Sequence, residues 1–326
     1  MVARQAGVSP STVSRILNNT ARVKESKVRA VNVAIAKLQF LPDPVARSLA
    51  RGKSMTVGVV TQAISGPYYG EALVAIEKGL TRAQLYPLFA SGHWREADER
   101  NCIARLIARR VEGIILLTSC LPDLELLQLS RSVPLVVIGR YIAADRIYCL
   151  DVDSTPGARL ATEFLIGLGH RRIAFIAGPP SHPDARQRFD GYRAALAASR
   201  IPYDKKLVAP GNYVSEGGYA AVSQLLDAGT KFTAIFAAND QAAYGALLAL
   251  HRRGIKVPRD MSIVGYDDVP ESCFSIPPLT SVHRSIDEVG EGAAEAIIDM
   301  IAGQPPVATA SAPTLAIRES TRPLRA

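Results

Sequence analysis

Along most of the chain, short apolar runs rich in Val, Ile and Leu alternate with longer stretches in which apolar residues recur every three or four positions. The runs 56–60, 86–90, 113–117, 134–138, 173–177, 234–237 and 262–266 predict strands. Between them, 70–83, 96–109, 157–168, 186–198, 217–228 and 241–252 predict amphipathic helices. Such alternation builds parallel sheets with helices on both faces, an α/β class of doubly wound lobes. There are too many strands for one short sheet, and Leu150-Asp151-Val152-Asp153-Ser154 reads as the passage into a second. Two such lobes leave a cleft at the C-terminal strand ends, where open sheets bind ligands.

The first fifty residues follow a different pattern, an all-α one. In Gly7-Val8-Ser9-Pro10-Ser11-Thr12-Val13-Ser14-Arg15-Ile16-Leu17-Asn18-Asn19, Gly7 supplies a turn, Ser9 an N-cap and Pro10 a first helical residue whose missing N–H costs nothing. Val13, Ile16 and Leu17 then share one buried stripe, leaving Pro10, Ser11, Ser14 and Arg15 outward. A short polar helix presented after a turn suits the major groove of DNA; the plain alternative is a capped surface helix. Charge favours the first reading. Up to Lys53 there are ten basic residues against Glu25 and Asp43, a net of +8, and the whole chain is also +8. The remainder is therefore neutral, and all the positive excess lies where phosphates would be met.

Composition narrows the remaining classes. At 326 residues and 48% hydrophobic, the chain has material for two or three domains. Cys102, Cys120, Cys149 and Cys273 are scattered without a C-x-x-C pair, which fits a reducing cytoplasm and offers no metal site. No signal segment and no apolar run near twenty residues is present, so no membrane partner is expected. Enzyme chemistry finds little support. Asp267 and Asp268 are adjacent on a strand end and diverge. His170, in Gly-His-Arg-Arg, reads as a cation at a helix C-terminus. There is no nucleophile elbow, phosphate loop or His/Cys cluster, and no catalytic residue, metal or cofactor is expected.

The run 6–18, with Val23, Leu41-Pro42 and Val45-Ala46-Arg47-Ser48-Leu49, resembles the headpiece of the LacI/GalR family of bacterial transcription regulators. Downstream, Leu168-Gly169-His170-Arg171-Arg172-Ile173-Ala174, Ala238-Asn239-Asp240, Ser262-Ile263-Val264-Gly265-Tyr266-Asp267-Asp268 and Pro277-Pro278-Leu279-Thr280 are similar to that family's effector-binding core, which looks like a periplasmic sugar-binding protein. The resemblance implies a helix-turn-helix headpiece over 1–41, a hinge helix and linker over 42–54 and a core over 55–326. Within the core it implies a first lobe of about 55–152 plus 284–309 and a second of about 153–283 plus 310–326. It places Ser9, Pro10, Ser11, Thr12, Ser14, Arg15, Asn18, Arg22 and Arg47 on DNA, with Leu49 wedging into the minor groove; Leu49 as a linker packing residue is the alternative. Two departures stand out. The first helix begins at Met1 without a capping side chain, which implies a start set too far downstream or a slightly truncated headpiece, and Asp43 stands where the family more often has Asn.

A sugar needs bidentate polar groups for its hydroxyls and an aromatic wall for its C–H face. Arg188, Asn239 and Asp267 match family positions that contact effector, while Ser65, Tyr68, Tyr69 and Trp94 follow the first two strands. Arg140 completes the expected effector set. For Asn239 a helix cap, for Asp267 a turn carboxylate, for Arg188 a surface position and for Trp94 a shielding role at the lobe edge remain alternatives. Ser154 replaces the family's common Asn, which weakens Asp153 as a ligand contact. The expected function is a DNA-binding regulator, usually a repressor, controlled by a small carbohydrate effector and working as a cytoplasmic homodimer on a double-stranded operator. No apolar heptads follow Ser320 to build a tetramer tail. The alternative is a stand-alone cytoplasmic sugar-binding or sensor protein, which leaves the basic headpiece without a use.

Overall fold

The computed structural model describes residues 1–18, 21–40, 53–150, 153–307 and 311–324. The chain divides into two compact units, Met1–Met55 and Thr56–Ala326. In the first, α1 (Val2–Gln5), α2 (Pro10–Asn18) and α3 (Glu25–Leu38) enclose a small core of Val2, Val13, Val31 and Ala34, with Ile16, Leu17 and Ile35 packed against it. Val31, Ala34 and Ile35 lie at i, i+3 and i+4, one stripe of α3. Gly7, at φ +64°, makes the turn between α1 and α2, a conformation that Gly adopts without a Cβ penalty.

The second unit holds two sheets. The first contains β1 (Thr56–Thr61), β2 (Tyr86–Ser91), β3 (Gly113–Leu117), β4 (Leu135–Ile138) and β5 (Ile147–Leu150) in the order β2-β1-β3-β4-β5, all parallel. Its helices are α4 (Pro67–Arg82), α5 (Glu96–Ala108) and α6 (Asp123–Leu129). β3 and β4 are buried at every position, as strands covered on both faces must be.

The second sheet runs β11-β10-β9-β8-β6-β7, from β6 (Ile173–Ile176), β7 (Val208–Ala209), β8 (Ala234–Ala237), β9 (Ser262–Asp267), β10 (Thr280–His283) and β11 (Thr314–Ala316). Only β11 is antiparallel. α7 (Thr155–Gly167), α8 (Pro183–Ala198), α9 (Ser215–Asp227) and α10 (Asp240–Arg252) cover it. The chain then returns to the first sheet through α11 (Ile286–Ala302), which packs on α4. That packing is close because small residues meet: a Cβ at Gly79 would stand 2.6 Å from Ala294, and one at Gly290 2.6 Å from Ala75.

Several expectations shift. β5, β7, β10 and β11, and helices α6 and α11, lie outside the ranges expected from the sequence. α4 begins at Pro67 and α8 at Pro183, three residues earlier than expected, because each proline takes the first helical position. This extra turn brings Tyr68, Tyr69 and Asp184 onto helices. His170 is not a helix-end cation. It is 2% exposed, its ring nitrogens lie against Thr233 Oγ1, Ser262 Oγ and the Arg322 carbonyl, and burial lowers its pKa, so it serves as a neutral bridge.

Candidate functional site

Helix α2 exposes Pro10, Ser11, Ser14 and Arg15 and turns Val13 inward, with Thr12 half-buried. Its start is fixed by Ser9, whose Oγ accepts the Thr12 backbone N–H at 3.2 Å and lies 2.9 Å from both Ser11 Oγ and Thr12 Oγ1. Asn18 is its last residue, and Arg22 is exposed between α2 and α3. Arg47 and Leu49, like the whole 41–52 stretch, lie outside the described residues.

In the larger unit, a cavity of about 380 Å³ opens between the two sheets. From the first lobe it is lined by Tyr68 and Tyr69 in the first turn of α4, Trp94 after β2, Thr118 after β3 and Gly139 after β4. The second lobe supplies His182, Asp184 and Arg188 at the start of α8, Tyr213, Asn239 after β8, Asp267 at the end of β9 and Arg284 after β10. Every lining segment after a strand sits at its C-terminal end, the usual ligand position in parallel sheets.

Arg188 is the hub of this wall. It is 4% exposed, donates to Asp267 Oδ1 at 3.1 Å and to the Ala238 carbonyl, and pairs with Asp184 Oδ2 at 3.3 Å. Its guanidinium lies 3.9 Å from the Tyr266 ring centroid, a cation–π arrangement. Asp184 Oδ2 also accepts the Tyr213 hydroxyl. Burial pushes the Asp267 carboxyl up to about 6, against the pull of Arg188 and Arg284. Behind it Asp240 is pushed up to about 7 by burial and by the charge of Asp267, while Ser281, Ser272 and the Val269 N–H donate to it.

Trp94 closes the mouth. Its ring stacks on His182 from the opposite lobe at 3.7 Å and meets Tyr69 edge-on. Burial lowers the His182 pKa, so a neutral imidazole faces the indole. The Trp94 turn is held from below: the Trp94 backbone N–H donates to Gln62 Oε1, and Gln62 Nε2 donates to Glu99 and the Thr118 carbonyl. Glu99, fully buried on α5, further accepts Ser119 Oγ, the Cys120 N–H and the Cys120 thiol.

The expected set is only partly gathered. Tyr68, Tyr69, Trp94, Arg188, Asn239 and Asp267 line the cavity. Asn239 also caps α10, its Oδ1 accepting the Ala242 N–H and its Nδ2 donating to the Tyr213 carbonyl. Ser65 sits exposed before α4 and is not a lining residue. Neither is Arg140, which donates to the Leu121 carbonyl at 2.6 Å and pairs with Asp123 at 3.2 Å. Asp153 accepts the Thr155 N–H, and Asp268 turns away to His283 and Arg318. Asp184, His182, Tyr213 and Arg284 were not anticipated; Pro183 and the i, i+4 spacing of Asp184 and Arg188 were the available signals.

Three buried polar atoms in this wall lack a partner: Asp184 Oδ1, Arg188 Nε and Arg284 Nη2. Buried donors and acceptors are rarely left so, and these three offer hydrogen-bonding positions to a polar guest. Among the described residues no His, Cys, Asp or Glu cluster could hold a metal, and no helix is long and apolar enough to cross a membrane.

Comparison with known proteins places these two units in one setting. Residues 2–43 match the family described as bacterial regulatory proteins, lacI family, and residues 162–321 match a periplasmic binding protein-like domain. The HTH-type transcriptional regulator GalR of Escherichia coli K12 is 36% identical over 322 residues, covering 98% of this chain and 94% of that protein. The crystal structure of the Lac repressor dimer bound to operator and the anti-inducer ONPF aligns over 98% of both chains with a TM-score of 0.88 at 29% identity. A complex of the regulator CelR with cellobiose aligns over 98% of both chains with a TM-score of 0.75 at 33% identity. These regulators are not enzymes, and this chain belongs with them to the lacI family of bacterial regulatory proteins.

Proposed function

We propose that this protein is a cytoplasmic transcriptional repressor, held on the nucleoid when operator-bound, whose grip on DNA is set by a sugar in the interlobe cleft. The observation that carries this reading is the presence, in one chain, of an exposed polar helix face on a basic unit and a cleft whose buried polar atoms still lack partners. Pro10, Ser11 and Arg15 read base edges, with Arg15 favouring a guanine through its bidentate fork. Ser9, Thr12, Ser14, Asn18 and Arg22 support the same helix against the backbone, and Arg47 and Leu49 act from the hinge. In the cleft, Arg188, Asp184 and Asp267 engage hydroxyls while Trp94 and Tyr69 cover the C–H face.

The repressor works as a homodimer on two half-sites, since two-fold symmetry in the protein is mirrored in its operator. Large apolar side chains exposed on the larger unit support this: Val74, Tyr86 and Phe89 on the first lobe, Leu248, Phe274 and Ile276 on the second. Phe274 and Ile276, 84% and 93% exposed, stand two residues apart on the loop between β9 and β10. Selection of the full chain against a random duplex library tests the reading. A pseudo-palindromic site that Arg15→Ala no longer recovers is expected; recovery of no site, or of one indifferent to Arg15, overturns it.

A further inference from the structure

Resting on the sugar reading above, we infer that the effector is a hydroxylated small molecule carrying an oxyanion, a sugar carboxylate or sugar phosphate, and that Arg284 holds the anionic group. The two arginines of the cleft differ in one respect. Arg188 is flanked by Asp184 at 3.3 Å and Asp267 at 3.1 Å, so its charge is compensated. Among the described residues Arg284 has one side-chain hydrogen-bond partner, the neutral hydroxyl of Ser154 at 2.9 Å. No carboxylate among the described residues lies within 4.0 Å of it, and its Nη2 is buried without a hydrogen-bond partner at the cavity wall.

Asp267 feels Arg284, but its Oδ1 is committed to Arg188. A half-buried guanidinium whose inner Nη2 is left without a partner is costly, and the groups that match its planar fork are carboxylates and phosphates. A bare anion would not use the rest of the wall. Asp184 Oδ1 accepts and Arg188 Nε donates, the pair of roles a hydroxyl fills at once, so the anion comes on a polyhydroxylated body. A cavity of about 380 Å³ suits a ligand of monosaccharide size.

The test is calorimetric titration of the full chain with matched sets: glucose, glucuronate and glucose 6-phosphate, then galactose, galacturonate and galactose 6-phosphate. One charged member should bind at least roughly 10-fold more tightly than its neutral parent, the worth of a charge-assisted hydrogen bond. Whether the uronate or the phosphate wins identifies the oxyanion. Arg284→Gln should remove that preference and Arg284→Lys retain part of it. Equal or tighter binding of the neutral sugars overturns this inference and leaves the sugar reading standing. An unchanged preference in Arg284→Gln overturns the role of Arg284, and binding of no member of either set overturns the sugar reading together with the inference. The wild-type comparison stands even if the Gln variant does not fold.

Discussion

Replacing Arg188 with Met should expose how the cleft wall is balanced. The guanidinium is 4% exposed, compensates Asp184 and Asp267, and donates to the Ala238 carbonyl. Its removal leaves two carboxylates facing each other in a buried wall, a loss of about 3–5 kcal/mol for a broken buried pair. The sign of the pH dependence follows from Asp267. Its carboxyl is already raised from 3.8 to about 6 with Arg188 in place, and removing that attraction raises it further. A folded-state pKa above the unfolded value means the folded state binds the extra proton, so stability falls as pH rises through the window between them. The variant's deficit should therefore be largest at pH 8 and shrink by pH 5. Asp184, His182 and Arg284 also face this site. Asp267→Asn on the Arg188→Met background should recover part of the loss, since the uncompensated charge is its main source. Urea denaturation followed by circular dichroism at both pH values measures this. A deficit below about 1 kcal/mol at pH 8, or an equal deficit at both pH values, refutes the reasoning.

Five further outcomes are expected. Glu99→Ala, which strips acceptors from Gln62, Ser119 and Cys120, should cost about 3 kcal/mol or more, and Glu99→Gln nearer ~1 kcal/mol; both are measurable by urea denaturation. Because Trp94 is the chain's single tryptophan, release of its turn in Glu99→Ala should also change the intrinsic fluorescence. His170 contributes stability that is full above its unfolded pKa of 6.5 and is lost as pH falls toward its lowered folded value, so His170→Leu should flatten the melting-temperature profile below pH 6.5. Phe274→Asp with Ile276→Asp should shift the protein toward monomer in sedimentation experiments, and Arg15→Ala should weaken operator binding by about 1–3 kcal/mol while relaxing one base position.

Elements with a strong local signal were legible from the chain alone. Val13 with Ile16 and Leu17, Ser9 before Pro10, and the continuous apolar runs of β3 and β8 each specify their structure within a few residues. β7 and β11 are two and three residues long, too short for any period to register. α11 is apolar or small over most of its length, and its place on the first sheet depends on Gly79 and Gly290 meeting alanines far away in sequence. In the site, Arg188 and Asp267 could be named because they match family positions that contact effector, and Trp94 because it follows a strand end. Glu99 and Gln62 could not, since the buried clamp beneath Trp94 joins residues 37 apart through side-chain bonds that no linear pattern encodes. Arg140 shows the converse: its place after β4 was right for a ligand contact, but Asp123 and the Leu121 carbonyl take its guanidinium.

The central claim is that one switch joins the DNA-binding unit to the cleft, and coupling measures it directly. With the selected operator duplex and a sugar that titrates the cleft, operator affinity should change about 5- to 150-fold at saturating sugar, and sugar affinity should change by the same factor at saturating operator. Saturation of the cleft with operator affinity unchanged would contradict the account.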